Sequence, residues 1–154
     1  KVFPQFSPKH IHRLARRDAR GQVDGVFLCG WGEGLDFYVL MKCFDDPGLD
    51  LDELLDEYFS LSFGPEAGAH VKRFYRRIEH ISMRSMDGPV NVDERFFWEV
   101  QGNGRVLNEL ERMLDRAEAA LPDDLARARF AAWRNLMEYM KQGRAEWLAK
   151  QPQP

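Results

Sequence analysis

At 154 residues, with 44% apolar, 31% charged and 12% aromatic side chains, the chain has the composition of a folded globular protein and not of a disordered tail. Folding at this length removes roughly 68–70% of the unfolded surface from water, so a sizeable core is available. A formal charge of −3 argues against wholesale nucleic-acid binding, no apolar run approaches the roughly 20 residues of a membrane helix, and the opening KVFPQFSPKH lacks the apolar region and cleavage site of a signal peptide, so the start reads as a cut.

The first expected element is an amphipathic helix from His10 to Arg20. Ile11, Leu14, Ala15 and Ala19 form its apolar stripe, Arg13, Arg16, Arg17 and Arg20 lie on its other faces, and Gly21 is the stop. Val26, Phe27, Leu28 and Cys29 run apolar without alternation, the pattern of a strand covered on both faces as in a parallel sheet. From Asp36 to Phe44 the sequence DFYVLMKCF has one charge after its start, so this helix must be packed on more than one side, with Asp36 expected as its N-cap. Cys29 and Cys43 lack metal-ligand spacing and read as buried free thiols, which leaves the redox compartment open.

Beyond this point helices dominate. Asp50 with Glu53 forms a capping box, followed by Leu51, Leu54, Leu55, Tyr58 and Phe59 at helical spacing. Gly64–Pro65 ends that helix and starts another, whose stripe is Ala67, Val71, Phe74, Tyr75, Ile78 and Ile81. A loop with a Gly88–Pro89 turn is expected from about Arg84 to Asp93, then a short aromatic helix or turn in DERFFWEV, in which Phe96, Phe97 and Trp98 anchor a crossing segment. Val106, Leu107, Leu110, Met113, Leu114, Ala117 and Leu121 mark a long helix. After Pro122, Phe130, Trp133, Met137 and Met140 mark another that pairs with it as an antiparallel hairpin, with a last turn around Ala145 to Leu148.

One lone strand raises the functional question. Helix, short connection, doubly covered strand and buried helix make the αβα edge of a parallel α/β unit, whose strand needs neighbours that this sequence does not contain. Ligands of such folds meet the carboxyl ends of strands, where Gly30-Trp31-Gly32-Glu33-Gly34 falls. An indole face stacks on the C–H side of a sugar ring and a carboxylate accepts hydroxyl hydrogen bonds, so Trp31 and Glu33 are the candidate substrate-binding residues of a carbohydrate subsite. The competing reading makes Trp31 a core or interface plug and Glu33 a loop or salt-bridge residue.

The order GVFLCGWGEGLDFYVLMKCFDDPGLDLDELLDEYFSLSFGPEA, followed by LNELERMLDRAEAAL and ARARFAAWRNLMEYM, resembles the C-terminal part of a bacterial glycoside-hydrolase-like family of unknown function. That family is similar in layout to alpha-glucuronidases and beta-N-acetylhexosaminidases, with a (β/α)8 barrel and a helical domain after it. The resemblance covers nearly the whole chain; Phe44 stands near the place where the family more often carries a Trp-bearing turn. It implies that Val26 to Cys29 is the last barrel strand and Asp36 to Phe44 the last barrel helix. Residues 1–49 are then a barrel-edge remnant and 50–154 the C-terminal helical domain. It further implies a carbohydrate substrate in the intact protein, an upstream barrel domain as partner, and a secreted or periplasmic setting.

An active site does not follow. Glycoside hydrolysis uses two carboxylates about 5–9.5 Å apart, drawn in barrels from several strand ends, and this chain offers one strand end with one well-placed acid, Glu33. No catalytic residue, cofactor or metal ligand is therefore assigned. His10 and His12 point to different helix faces and His70 and His80 have no third ligand in view. In KRFYRR, Lys72 to Arg77, the aromatics belong to the core stripe and the charges to the outer face, so no nucleic-acid partner is expected. The expected fold class is mainly α, a helical bundle with one short strand. A stand-alone helical protein-interaction module is the alternative function, and the unpaired strand edges make self-association possible.

Overall fold

The computed structural model describes residues 1–21, 34–84 and 93–152, and every regular element within them is helical. The expected strand Val26–Cys29, the residues Trp31 and Glu33, and the Gly88–Pro89 turn lie outside the described residues. The chain is a mainly α-helical bundle: α1 (Pro8–Arg20), α2 (Gly34–Asp45), α3 (Leu51–Phe63), α4 (Pro65–Arg84), a π-helical segment (Phe96–Gln101), α5 (Gly104–Ala119) and α6 (Asp124–Ala149). The turn expected at Ala145–Leu148 is the uninterrupted end of α6.

Local chemistry sets the helix ends. The Asp50 carboxylate accepts from the N–H groups of Asp52 and Glu53, two donors that have no partner inside α3, and these bonds hold its carboxyl below the usual range. Asn103 and Asp123 cap α5 and α6 in the same way. Between α3 and α4 the chain turns at Gly64, whose φ of 81° lies in the left-handed region that a side chain disfavours, and Pro65 opens α4 with its ring-fixed φ.

Packing follows from two antiparallel pairs. Asp56 and Asp52 of α3 meet Lys72 and Arg76 of α4, while Phe59 faces Gly68, so sequence number falls on one helix as it rises on the other. A Cβ on Gly68 would stand 2.5 Å from the Phe59 carbonyl oxygen, so the backbones approach as closely as they do because that residue is glycine. Asp115 meets Arg134 and Glu111 meets Lys141, which makes α5 and α6 the expected antiparallel hairpin. Arg77 of α4 forks onto both oxygens of Glu109 at 3.0 Å and joins the two pairs. The core between them holds Leu55, Phe59, Phe74, Ile78, Leu110, Leu114, Phe130 and Met137, all buried, with Tyr58 and Trp133 at its margin.

The first seven residues form a strap across this bundle. Phe3 is buried and meets the Trp98 ring edge-on at 6.4 Å, the Val2 N–H donates to the Tyr139 hydroxyl, and the Trp98 indole N–H donates to the Lys1 carbonyl. Trp98 fits because Gly143 and Gly102 carry no Cβ: one would come within 2.3 Å of the ring at the first and 2.8 Å at the second. The expected anchoring role of DERFFWEV is thus carried by Trp98, with Phe96 and Phe97 half-buried beside it. Helix α1 lies on α2; Ala15 of the first and Cys43 of the second are both buried, and burial pushes the Cys43 thiol pKa up.

Candidate functional site

Two buried carboxylates, Asp36 and Glu79, organise the region around the start of α1. Helix α1 has no side-chain cap of its own, since the Ser7 hydroxyl does not reach back to an N–H of the first turn. Its N-terminal donors are instead met from other helices. Asp36 Oδ2 accepts from the Ser7 N–H at 3.2 Å and from the Ser7 hydroxyl at 3.4 Å, and Glu79 Oε1 accepts from the Lys9 N–H at 3.1 Å. Negative charge at this end also complements the helix dipole. Arg76 donates to the second oxygen of Glu79 at 2.7 Å.

Asp36 was expected as the N-cap of α2. It lies inside the first turn instead, because α2 begins at Gly34, and its carboxylate reaches outward to Ser7 and to the Tyr75 hydroxyl of α4, which donates to Oδ1 at 2.5 Å. Asp36 is 5% and Tyr75 1% exposed. Burial, then the nearby Asp36 charge, then the hydrogen bond that Tyr75 donates push the phenol pKa far above its ordinary value. Tyr75 therefore stays a neutral donor, unsuited to act as base or nucleophile.

Above this pair opens a cavity of about 560 Å³, walled by Phe6, Tyr58, Phe63, Tyr75, Trp133 and Leu136 and bordered by Ser62 and Arg129. Its rings hold one another in place. Phe6 of the strap stacks on Tyr75 at 4.6 Å, and Trp133 meets Phe74 and Tyr75 edge-on, at 5.9 and 6.3 Å. Such pairs contribute about 0.5–1.5 kcal/mol each beyond area burial, which favours this arrangement of the rings. Burial raises the Tyr58 phenol pKa, opposed by the Arg129 charge, which places a guanidinium within electrostatic reach of the rim.

The arrangement suits binding of a ring-shaped, partly polar molecule. Asp36 is the one carboxylate in the described lining, and it is already engaged by Ser7 and Tyr75. Among the described residues no group of three His, Cys, Asp or Glu side chains is placed to hold a metal ion, and no helix is long and apolar enough to cross a membrane. His12, set aside as a ligand, contacts the Leu49 carbonyl through Nε2 at 2.9 Å.

The cavity opens beside Gly34, directly after Trp31 and Glu33 in the chain, although those two residues are themselves outside the described set. Sequence reasoning assigned Tyr58 and Trp133 to the core and did not single out Phe6 or Arg129. The available signal was Asp36, a carboxylate at the head of an otherwise apolar helix, which needs a buried partner. Comparison with protein-family models, with curated proteins and with solved structures finds no match.

Proposed function

We propose that this chain is the C-terminal helical region of a carbohydrate-active, glycoside-hydrolase-like protein, contributing packing and a substrate subsite without a complete active site of its own. The observation that carries this reading is the aromatic cavity at the head of α2, adjoining the Trp31–Glu33 motif in sequence. Aromatic faces accept the C–H side of a sugar ring, and Ser62, Arg129 and Glu33 supply hydroxyl partners. In this reading Val26 to Cys29 are the last barrel strand, Asp36 to Phe44 in α2 are the last barrel helix, and everything from Asp50 onward is the helical appendage. The acid and base belong to an upstream barrel.

The test uses the full-length gene product. It is expected to show a βα repeat upstream with two strand-end carboxylates, to bind neutral oligosaccharides, and to lose affinity on Trp31→Ala and Glu33→Gln. The isolated chain is expected to have no turnover on aryl glycosides and to self-associate in sedimentation equilibrium. A full-length protein without an upstream barrel and without glycan binding would favour the stand-alone helical interaction module.

A further inference from the structure

Helix α1 carries five cations, Lys9, Arg13, Arg16, Arg17 and Arg20, against one acid, Asp18, in a chain whose net charge is −3. Two adjoining concavities of about 590 and 450 Å³ run along it and share His12 and Arg13. The first is closed on its far side by Arg76 and His80 of α4; the second is lined by His12 and the four arginines. Its negative groups are already engaged: Glu79, 3% exposed, binds the Lys9 N–H and Arg76, and Asp18 pairs with Arg17. Among the described residues Arg13, Arg16 and Arg20 are in no ion pair.

Lys9, Arg13, Arg16 and Arg20 stand at i, i+4, i+7 and i+11, one face of the helix, so their attachment points span about 16 Å at about 5 Å intervals. A row of like charges at this spacing is electrostatically unfavourable on its own and is relieved by a linear polyanion that repeats its charge at short intervals.

We infer that this groove is a binding site for a linear sulfated glycan. The inference rests on the carbohydrate reading above and names the chemical class of its ligand. Four of the five cations are arginines, whose planar, weakly hydrated guanidinium offers paired N–H donors to an oxyanion with several oxygens, where a lysine-rich row would offer point charges. Among the described lining residues there is no Phe, Tyr or Trp, whereas surfaces for single-stranded nucleic acid set aromatic platforms among their cations for the bases to stack on. The groove and the aromatic cavity meet at one place, the first turn of α1, where Ser7 binds Asp36 and Lys9 binds Glu79.

The experiment titrates this chain with four probes of matched length: a chondroitin sulfate oligosaccharide, the same oligosaccharide desulfated and so retaining only its carboxylates, a neutral oligosaccharide, and single-stranded DNA. The sulfated probe is expected to bind most tightly, with affinity falling as salt rises. Arg13→Ala and Arg20→Ala, both exposed, are expected to weaken it by about tenfold each while leaving the thermal melt in place. Equal binding of the desulfated probe, tighter binding of DNA, or indifference to both substitutions would each overturn the inference. Retained neutral-glycan binding with no preference for sulfate would sink it and leave the carbohydrate reading standing, whereas sulfate-selective binding without neutral-glycan binding would support it and count against the cavity as a sugar site.

Discussion

The hydroxyl of Tyr75 donates to Oδ1 of Asp36 across 2.5 Å, joining α4 to the first turn of α2 with almost no access to water. The phenol has an ordinary pKa of 10.0 and a raised one in the folded chain. A raised folded pKa gives stability that is fully present below the unfolded value and is lost as pH climbs past it. Stability is therefore expected to fall above about pH 10, by up to about 1.4 kcal/mol per pH unit, as the unfolded chain releases a proton that the folded chain keeps. Tyr75→Phe removes that slope and costs about 1–3 kcal/mol at neutral pH, because an Asp36 oxygen loses its donor. Urea midpoints of both proteins between pH 8 and 12 decide the matter; parallel curves would show that another group controls the alkaline limb.

Glu79 holds α1 through the Lys9 N–H and is neutralised by Arg76. Glu79→Ala strands the Lys9 N–H and leaves Arg76 with Asp52, and the expected loss is about 1–3 kcal/mol. Faster hydrogen exchange should appear at the amides of α1 before those of α5. Uniform acceleration across the chain would mean that Glu79 supports the whole core and not this helix in particular.

Gly68→Ala puts a methyl group 2.5 Å from the Phe59 carbonyl oxygen, backbone that cannot step aside without separating α3 from α4. A loss of about 1–3 kcal/mol is expected. Gly104→Ala is the control, since the nearest neighbours of its new methyl are guanidinium atoms of Arg144, the closest at 3.2 Å, side-chain atoms and not backbone, and it is expected to cost less than Gly68→Ala. Thermal melts of the pair that coincide would show that the helices have slack at Gly68.

Leu55 and Ile78 are fully buried on facing stripes of α3 and α4, and truncating either to Ala is expected to cost about 2–5 kcal/mol. Leu61, in the same helix as Leu55 but 74% exposed, is expected to change stability by less than about 0.5 kcal/mol on the same substitution. An unmoved urea midpoint for Leu55→Ala would refute the packing of α3.

Helices α3 to α6 were legible because their signals are local. Asp50 with Glu53, Gly64–Pro65 and the apolar spacing of each stripe act within a few residues; α3 ends and α4 begins where those signals place them, whereas α6 runs on through the turn expected at Ala145–Leu148. Asp36 was misread for the complementary reason: a carboxylate near a helix start looks like a cap whether it turns to its own helix or to Ser7 and Tyr75, and only tertiary packing separates the two. Nothing local distinguishes Glu79 from its solvated neighbours on α4, or Gly68 from a glycine that merely weakens a helix. The strap escaped notice because Phe3 and Phe6 are isolated aromatics in a polar stretch, and their partners lie at Trp98 and Tyr75. Of the candidate site, Tyr58 and Trp133 were recognised as inward-facing, yet the cavity they wall arises from how α3, α6 and the strap converge.

The strap has a further consequence for the order of assembly. Partners within the α3–α4 and α5–α6 hairpins are near in sequence, so their pairing closes short loops and can begin early. The bonds from Lys1 to Trp98 and from Val2 to Tyr139 span 97 and 137 residues, and they form only once the surfaces they join exist. Phe3 is therefore expected to settle on Trp98 late in folding. In stopped-flow refolding the indole emission of Trp98, isolated by replacing the other tryptophans with Phe, is expected to trail the far-ultraviolet helical signal. Simultaneous phases would place the strap in the folding nucleus.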